Sequence, residues 1–200
     1  MNDIKNEYRC VTDLVEVKAY LGDSKIVSFD YETAPDDGYR AEDKAALDAA
    51  KSHICTLSLS VKEHTGIMIP VAHKVGPNMS KADFNALLTE FLTDRSIIKV
   101  AHNLSFEAMF SYAKGIIIMP PVYDTIAASQ MTLKNAYDFR KLSDSGLKKL
   151  AGELCGEPLP SFSSVTDGKH FDELDSMDAE TIRYSCADSD FALRLYHIFN

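Results

Sequence analysis

The sequence is short of positive charge: 21 lysines and arginines stand against 30 aspartates and glutamates, a formal net charge of −9. That balance disfavours a general duplex binder, whose grip on a phosphate backbone rests on basic side chains. A paired-cysteine framework is also missing. Cys10, Cys55, Cys155 and Cys186 are far apart and form no CxxC pair, which fits free thiols in a reducing cytosol rather than a disulfide scaffold or a structural zinc site. No charged-then-apolar leader opens the chain, and the longest apolar stretches (54–61 and 115–122) fall short of a membrane span. The expectation is a soluble, cytoplasmic protein with no membrane partner. No GxGxxG follows a strand, so a dinucleotide-binding reading lacks support, and Ser and His residues show no triad spacing. Internal repeats and low-complexity tracts are absent as well.

What is there suffices for one domain with a real core: 200 residues, 46% of them hydrophobic. Residues 2–25 carry a short apolar periodicity ending at Gly22, which predicts one leading amphipathic helix. Residues 25–31 read as a buried strand. After an Asp-Asp-Gly turn signal, 41–51 is rich in Ala, Glu, Lys and Leu, predicting a short surface helix inside an insertion at 35–53. Strands follow at 54–61 and 65–70, with Lys62-Glu63-His64 as a hairpin tip. Ser80 is a plausible N-cap for a helix over 81–94 with Phe84, Leu87, Leu88, Phe91 and Leu92 on one stripe. A strand at 97–101, a helix at 104–114, a strand end at Val122, a helix opened by Asp124-Thr125, another at 145–155, a loop to about 169 and a last helix over 178–199 complete the pattern. The order predicts an α/β fold, a mixed sheet flanked by helices.

Three places carry chemistry. In Ser28-Phe29-Asp30-Tyr31-Glu32-Thr33, carboxylates at i and i+2 follow an apolar run and project from one side of a strand. Such a pair is costly unless a hard divalent cation takes its oxygens; solvent-facing acids at a strand end are the plainer alternative. In Arg183-Tyr184-Ser185-Cys186-Ala187-Asp188, Tyr184 and Asp188 stack on one helical face, either as a surface pair or as a phenol beside a carboxylate that orients a water. In Ala101-His102-Asn103-Leu104-Ser105-Phe106-Glu107, a strand leads into a helix whose first turn bears an acid, which also serves simply to complement the helix dipole. His102 either touches a substrate or packs at a strand end. Asp124 reads as an N-cap.

In order and spacing, Asp30-x-Glu32-Thr33, Asn103-Leu104-x-Phe106-Glu107 and Tyr184-x-x-x-Asp188 resemble the three motifs of DEDDy 3′→5′ exonucleases of the ribonuclease H-like superfamily. Met68-Ile69-Pro70-Val71-Ala72-His73, Tyr123-Asp124-Thr125 and Leu147-Lys148-Lys149-Leu150-Ala151 look like the intervening segments of the proofreading domain in family A, polymerase I-type DNA polymerases. The resemblance implies a five-stranded mixed sheet and two divalent ions, Mg²⁺ or Mn²⁺. Asp30, Glu32 and Asp188 would hold the tighter one; Asp30, with Glu107 through water, would serve the second. It further implies Tyr184 as the residue orienting the attacking water, Asn103 and Thr33 as contacts to the terminal nucleotide, Phe106 beside them in the second motif, and Phe162 as a stacking platform for a splayed base.

Two departures stand out. Glu107 replaces the family's aspartate with a side chain one methylene longer, and 35–53 is longer than in the bacterial enzymes and resembles phage-type proteins. The implied function is proofreading: removal of nucleotides from a DNA 3′ end, single-stranded for a few nucleotides, beside a polymerase domain in the same or another chain, in a bacterial or phage-infected cell. A stand-alone exoribonuclease and a catalytically silent exonuclease-like domain are the alternatives.

Overall fold

The computed structural model describes residues 5–133 and 145–200. A strand β1 (Glu7–Cys10) and helix α1 (Leu14–Leu21) precede β2 (Ile26–Pro35), β3 (Ser52–Ser60) and β4 (Thr65–Pro70). Helix α2 (Lys81–Thr93), β5 (Ile98–Ala101), α3 (Leu104–Ala113), β6 (Val122–Asp124) and α4 (Thr125–Thr132) follow, then the short α5 (Leu147–Leu150) and α6 (Phe162–Thr166), and finally α7 (Ala179–Phe199). The strands form one mixed six-stranded sheet in the order β1-β4-β3-β2-β5-β6. The central β2–β3–β4 portion is antiparallel and both flanks are parallel.

The sheet has one strand more than expected, because 2–25 is not one helix. Asp13 accepts from the amides of Val15 at 2.8 Å and Glu16 at 3.0 Å, so a helix can begin only after it. The residues before it pair in parallel with β4 as an edge strand. Tyr8 on that strand donates to Asp190 of α7 at 2.6 Å, and Arg194 of α7 reaches both Asp190 and Asn6. First strand and last helix are thereby joined.

The insertion at 35–53 likewise departs from expectation, forming only single 3₁₀ turns at Asp37–Tyr39 and Ala45–Leu47. Lys44 adopts a left-handed φ of 60°, and side chains from the sheet capture carbonyls that a helix would use. The Thr33 hydroxyl donates to Ala46 O at 2.6 Å and that of Ser52 to Asp48 O at 2.6 Å. Arg40 clamps the insertion to the buried Asp172 beyond α6, one guanidinium bond measuring 3.1 Å. The helix expected at 145–155 is α5 continued by a π turn at Ala151–Cys155, and the expected loop to 169 contains α6, capped by Ser161.

Alternation along β2 sorts its side chains. Phe29 and Tyr31 enter a core beneath α2 and α3, where Phe29 meets Phe91 edge-on at 5.4 Å; each such buried ring contributes about 1.5–3 kcal/mol. Asp30 and Glu32 turn to the opposite face, which α7 covers. Close approach of that helix depends on Gly66 of β4: a Cβ there would lie 2.9 Å from the Cβ of Cys186. With no side chain at Gly66, α7 settles on the sheet and carries Tyr184 and Asp188 toward β2.

Candidate active site

The carboxylates of Asp30 and Glu32 from β2 and Asp188 from α7 converge, each offering an oxygen such that all lie within 4.8 Å of one another. Glu32 is buried, Asp30 and Asp188 half-buried. A β-bulge between Glu32 and Thr33 ends the regular register just past the pair. Three acids this close resist ionisation. Burial, then the charge of Asp188, raises the pKa of Asp30; burial, then Asp30 and Asp188, raises that of Glu32. Burial pushes Asp188 up to about 6, against the pull of Lys148.

Glu107, in the first turn of α3, is buried and its pKa is held high by burial and then by the Asp30 charge. It stands outside the three-carboxylate group. The turn that positions it is set by Asp124, whose carboxylate accepts from the amides of Asn103 and Leu104, each at 3.1 Å, while capping α4 through Ile126 at 2.9 Å. The expected N-cap role of Asp124 is thus present, with a second task added. Asn103 takes a left-handed φ of 75° and is exposed.

Whether this constellation fits divalent ions is answered by its orphaned atoms. Among the described residues, Glu32 Oε1 and Glu107 Oε2 are buried without a hydrogen-bond partner, a costly state that a cation relieves. An all-oxygen donor set suits Mg²⁺ or Mn²⁺. The residues fit.

Tyr184 sits one helical turn before Asp188, buried against Phe162 and Phe171 at ring separations of 6.2 and 5.9 Å. Burial and the nearby carboxylates raise its pKa, so the phenol keeps its proton at neutral pH. Its oxygen accepts a hydrogen bond from Lys148 Nζ at 2.9 Å. Beside the acids opens a cleft of about 470 Å³ lined by Tyr31, Glu32, Thr33, Phe106, Phe162 and His170, with Lys44, Ala46 and Leu47 of the insertion on its far side.

Of the residues expected at the site, Phe106, Phe162 and Thr33 line this cleft, although the Thr33 hydroxyl is engaged by Ala46 O. His102 does not line it. Its Nδ1 pairs with Thr125 Oγ1 at 2.8 Å, and burial lowers its pKa to about 4, so it is a neutral packing histidine.

The model of the 3′-5′ exonuclease family matches residues 8–200. The chain belongs to this family. No curated protein sequence matches it significantly. Several solved structures share its fold. NrnC of Brucella melitensis with bound Mg²⁺ superposes with a TM-score of 0.63 at 21% identity, over 98% of this chain and 80% of that one. The catalytic core of RRP6 from Trypanosoma brucei gives a TM-score of 0.66 at 14% identity, over 98% and 48%. Escherichia coli RNase D, described as an exoribonuclease involved in structured RNA processing, gives 0.62 at 16% identity, over 96% and 44%. The sheet and its flanking helices are thus the expected ribonuclease H-like arrangement.

The sequence places the 35–53 insertion beside the site, and Lys44 and Leu47 do form a wall of the cleft; two contributors to the exonuclease's site were passed over, Lys148 and His170. Only Lys148 left a trace, in a Leu-Lys-Lys-Leu run noted for its resemblance and not for its charge. Among the described residues no helix is long and apolar enough to cross a membrane.

Proposed function

We propose that this exonuclease is a divalent-metal-dependent hydrolase that shortens RNA from the 3′ end, working on strands a few nucleotides long. The observation that carries the reading is the convergence of Asp30, Glu32 and Asp188 within 4.8 Å beside Tyr184 and an aromatic-lined cleft. About 470 Å³ is room for a nucleotide-sized ligand. A net charge of −9 speaks against tracking a long polyanion. RNA is favoured over DNA by the fold relatives, since one is described as an exoribonuclease and NrnC has been solved with pGG.

Asp30, Glu32 and Asp188 would hold one ion, and Asp30 with Glu107 a second. What the ions supply when bound is a more acidic attacking water and neutralised charge on the scissile phosphodiester. The chain's own residues do the rest. Tyr184, kept protonated, orients the water by hydrogen bonding and does not act as the base. Phe106 and Phe162 take the terminal base between them, and Asn103, exposed at the mouth of α3, reaches the terminal nucleotide. Water oxygen bonds to phosphorus, the bond to the 3′ oxygen breaks, and the water's proton ends on that oxygen. A nucleoside 5′-monophosphate leaves, and the strand keeps a 3′ hydroxyl.

The proofreading reading is favoured by the likeness of residues 68–73, 123–125 and 147–151 to segments of the polymerase I-type domain, the first above all. Matched 5′-labelled DNA and RNA oligonucleotides, incubated with Mg²⁺, with Mn²⁺ or with chelator, separate the two. We expect a ladder from the 3′ end on short RNA only with metal, and none from Asp30→Ala, which should lose about 10³-fold or more while keeping the fold. Preference for DNA restores proofreading; cleavage that survives chelation or Asp30→Ala removes the mechanism.

A further inference from the structure

Lys148 is out of place in a cation-binding site. It projects from α5, whose Leu147, with Ala151 just beyond, packs against Ala187 and Phe191 of α7, so its backbone is anchored while its half-buried side chain is not enclosed. Nζ donates to the Tyr184 hydroxyl at 2.9 Å and lies 4.4 Å from the centre of that ring. Tyr184 and Asp188 share one face of α7, so the ammonium that holds the first also faces the acids around the second. Its charge opposes the upward push on Asp30, Glu32 and Asp188 alike.

An ammonium can only donate hydrogen bonds. With Lys148 in place, Tyr184 Oη is occupied as an acceptor, and a positive charge stands near enough to the three carboxylates to favour their ionised forms. A divalent cation entering among their oxygens meets a like charge that already acts on the same carboxylates, and the two repel. Lys148 has a four-carbon stem and a route to solvent, so it is the one to leave.

We propose that Lys148 is a tethered counter-ion: it neutralises the acid cluster and holds the Tyr184 hydroxyl in the metal-free protein, and is displaced when a divalent ion binds. Loading of the site and release of Tyr184 toward the substrate's water are then one event. Metal-free protein keeps its key hydroxyl engaged and its carboxylates together. The inference rests on the metal-dependent reading above and adds a residue to it.

The test uses the substrate-free protein. Mn²⁺ binding to the parent, Lys148→Met and Lys148→Arg is measured by calorimetry, and thermal unfolding is followed in chelator. Lys148→Met should bind Mn²⁺ about tenfold more tightly and melt at a lower temperature in chelator, while Lys148→Arg stays near the parent. In the parent, acylation of Lys148 read by mass spectrometry should rise several-fold on Mn²⁺ addition, a measurement that stands even if Lys148→Met does not fold. Equal or weaker Mn²⁺ binding by Lys148→Met, or unchanged acylation, overturns the counter-ion role while leaving the metal site intact. Absence of Mn²⁺ binding by the parent overturns the metal-dependent function itself, and the counter-ion with it.

Discussion

Replacing Asp188 with asparagine should make the metal-free protein more stable, in a pH-dependent way, while destroying its activity. The carboxyl is displaced by burial from the ordinary 3.8 to about 6. At about 1.4 kcal/mol per pH unit, ionising it in the folded chain costs about 3 kcal/mol relative to the unfolded chain. Because the folded pKa is the higher one, the stability linked to Asp188 is fully present below about pH 4 and is lost as pH rises through about 6. Asparagine has nearly the same shape and cannot ionise. Allowing for the attraction of Lys148 that is also forfeited, Asp188→Asn should exceed the parent by about 1–2 kcal/mol at about pH 8 in chelator and match it near pH 4. That is a visible fraction of the ~5–15 kcal/mol holding a domain together. Urea unfolding followed by circular dichroism across this range measures it. Saturating Mg²⁺ should then reverse the order, since only the parent gains binding energy. A variant less stable than the parent by the same amount at both ends of the range would mean that the Asp188 charge carries no cost and that the gathered carboxylates do not strain the metal-free site.

Three further outcomes follow from the geometry. Glu107→Asp should keep or raise the rate of 3′-end cleavage, and a loss greater than about tenfold would show that the longer side chain is required. Gly66→Ala sets a methyl 2.9 Å from Cys186 Cβ; it should cost about 1–3 kcal/mol in denaturant unfolding and depress Mn²⁺ binding, because α7 must move off β4. Phe162, 44% exposed at the cleft, should on truncation to alanine raise KM by about tenfold or more with kcat changed much less, checked with a short labelled oligonucleotide.

Features whose cause is local could be read in advance. The stripe Phe84, Leu87, Leu88, Phe91 and Leu92 behind the Ser80 cap is the buried face of α2, and the alternation Phe29-Asp30-Tyr31-Glu32 assigned the two acids to one side of β2. Tyr184 and Asp188 share a face because i and i+4 always do on a helix. What escaped was decided at a distance. β1 is four residues long and acquires its strand character only from β4. The insertion has helix-forming composition, yet the hydroxyls of Thr33 and Ser52 take its carbonyls first. That capture also occupied the Thr33 group expected to meet the nucleotide. Lys148 was hidden for a different reason: a lysine's part in a charge cluster depends on which acids face it, and neither spacing nor propensity encodes that.

The three convergent carboxylates are divided between β2 and α7, with most of the sheet between them along the chain. During translation Asp30 and Glu32 leave the ribosome well before Asp188, and α7 seats itself only once β1 and β4 are in place to receive it. A chain made only as far as the sheet therefore presents two of the three convergent carboxylates and no Tyr184. On the metal-dependent reading proposed above, hydrolysis becomes available only after α7 has been made and seated on the sheet, so catalytic competence and completion of this fold arrive together.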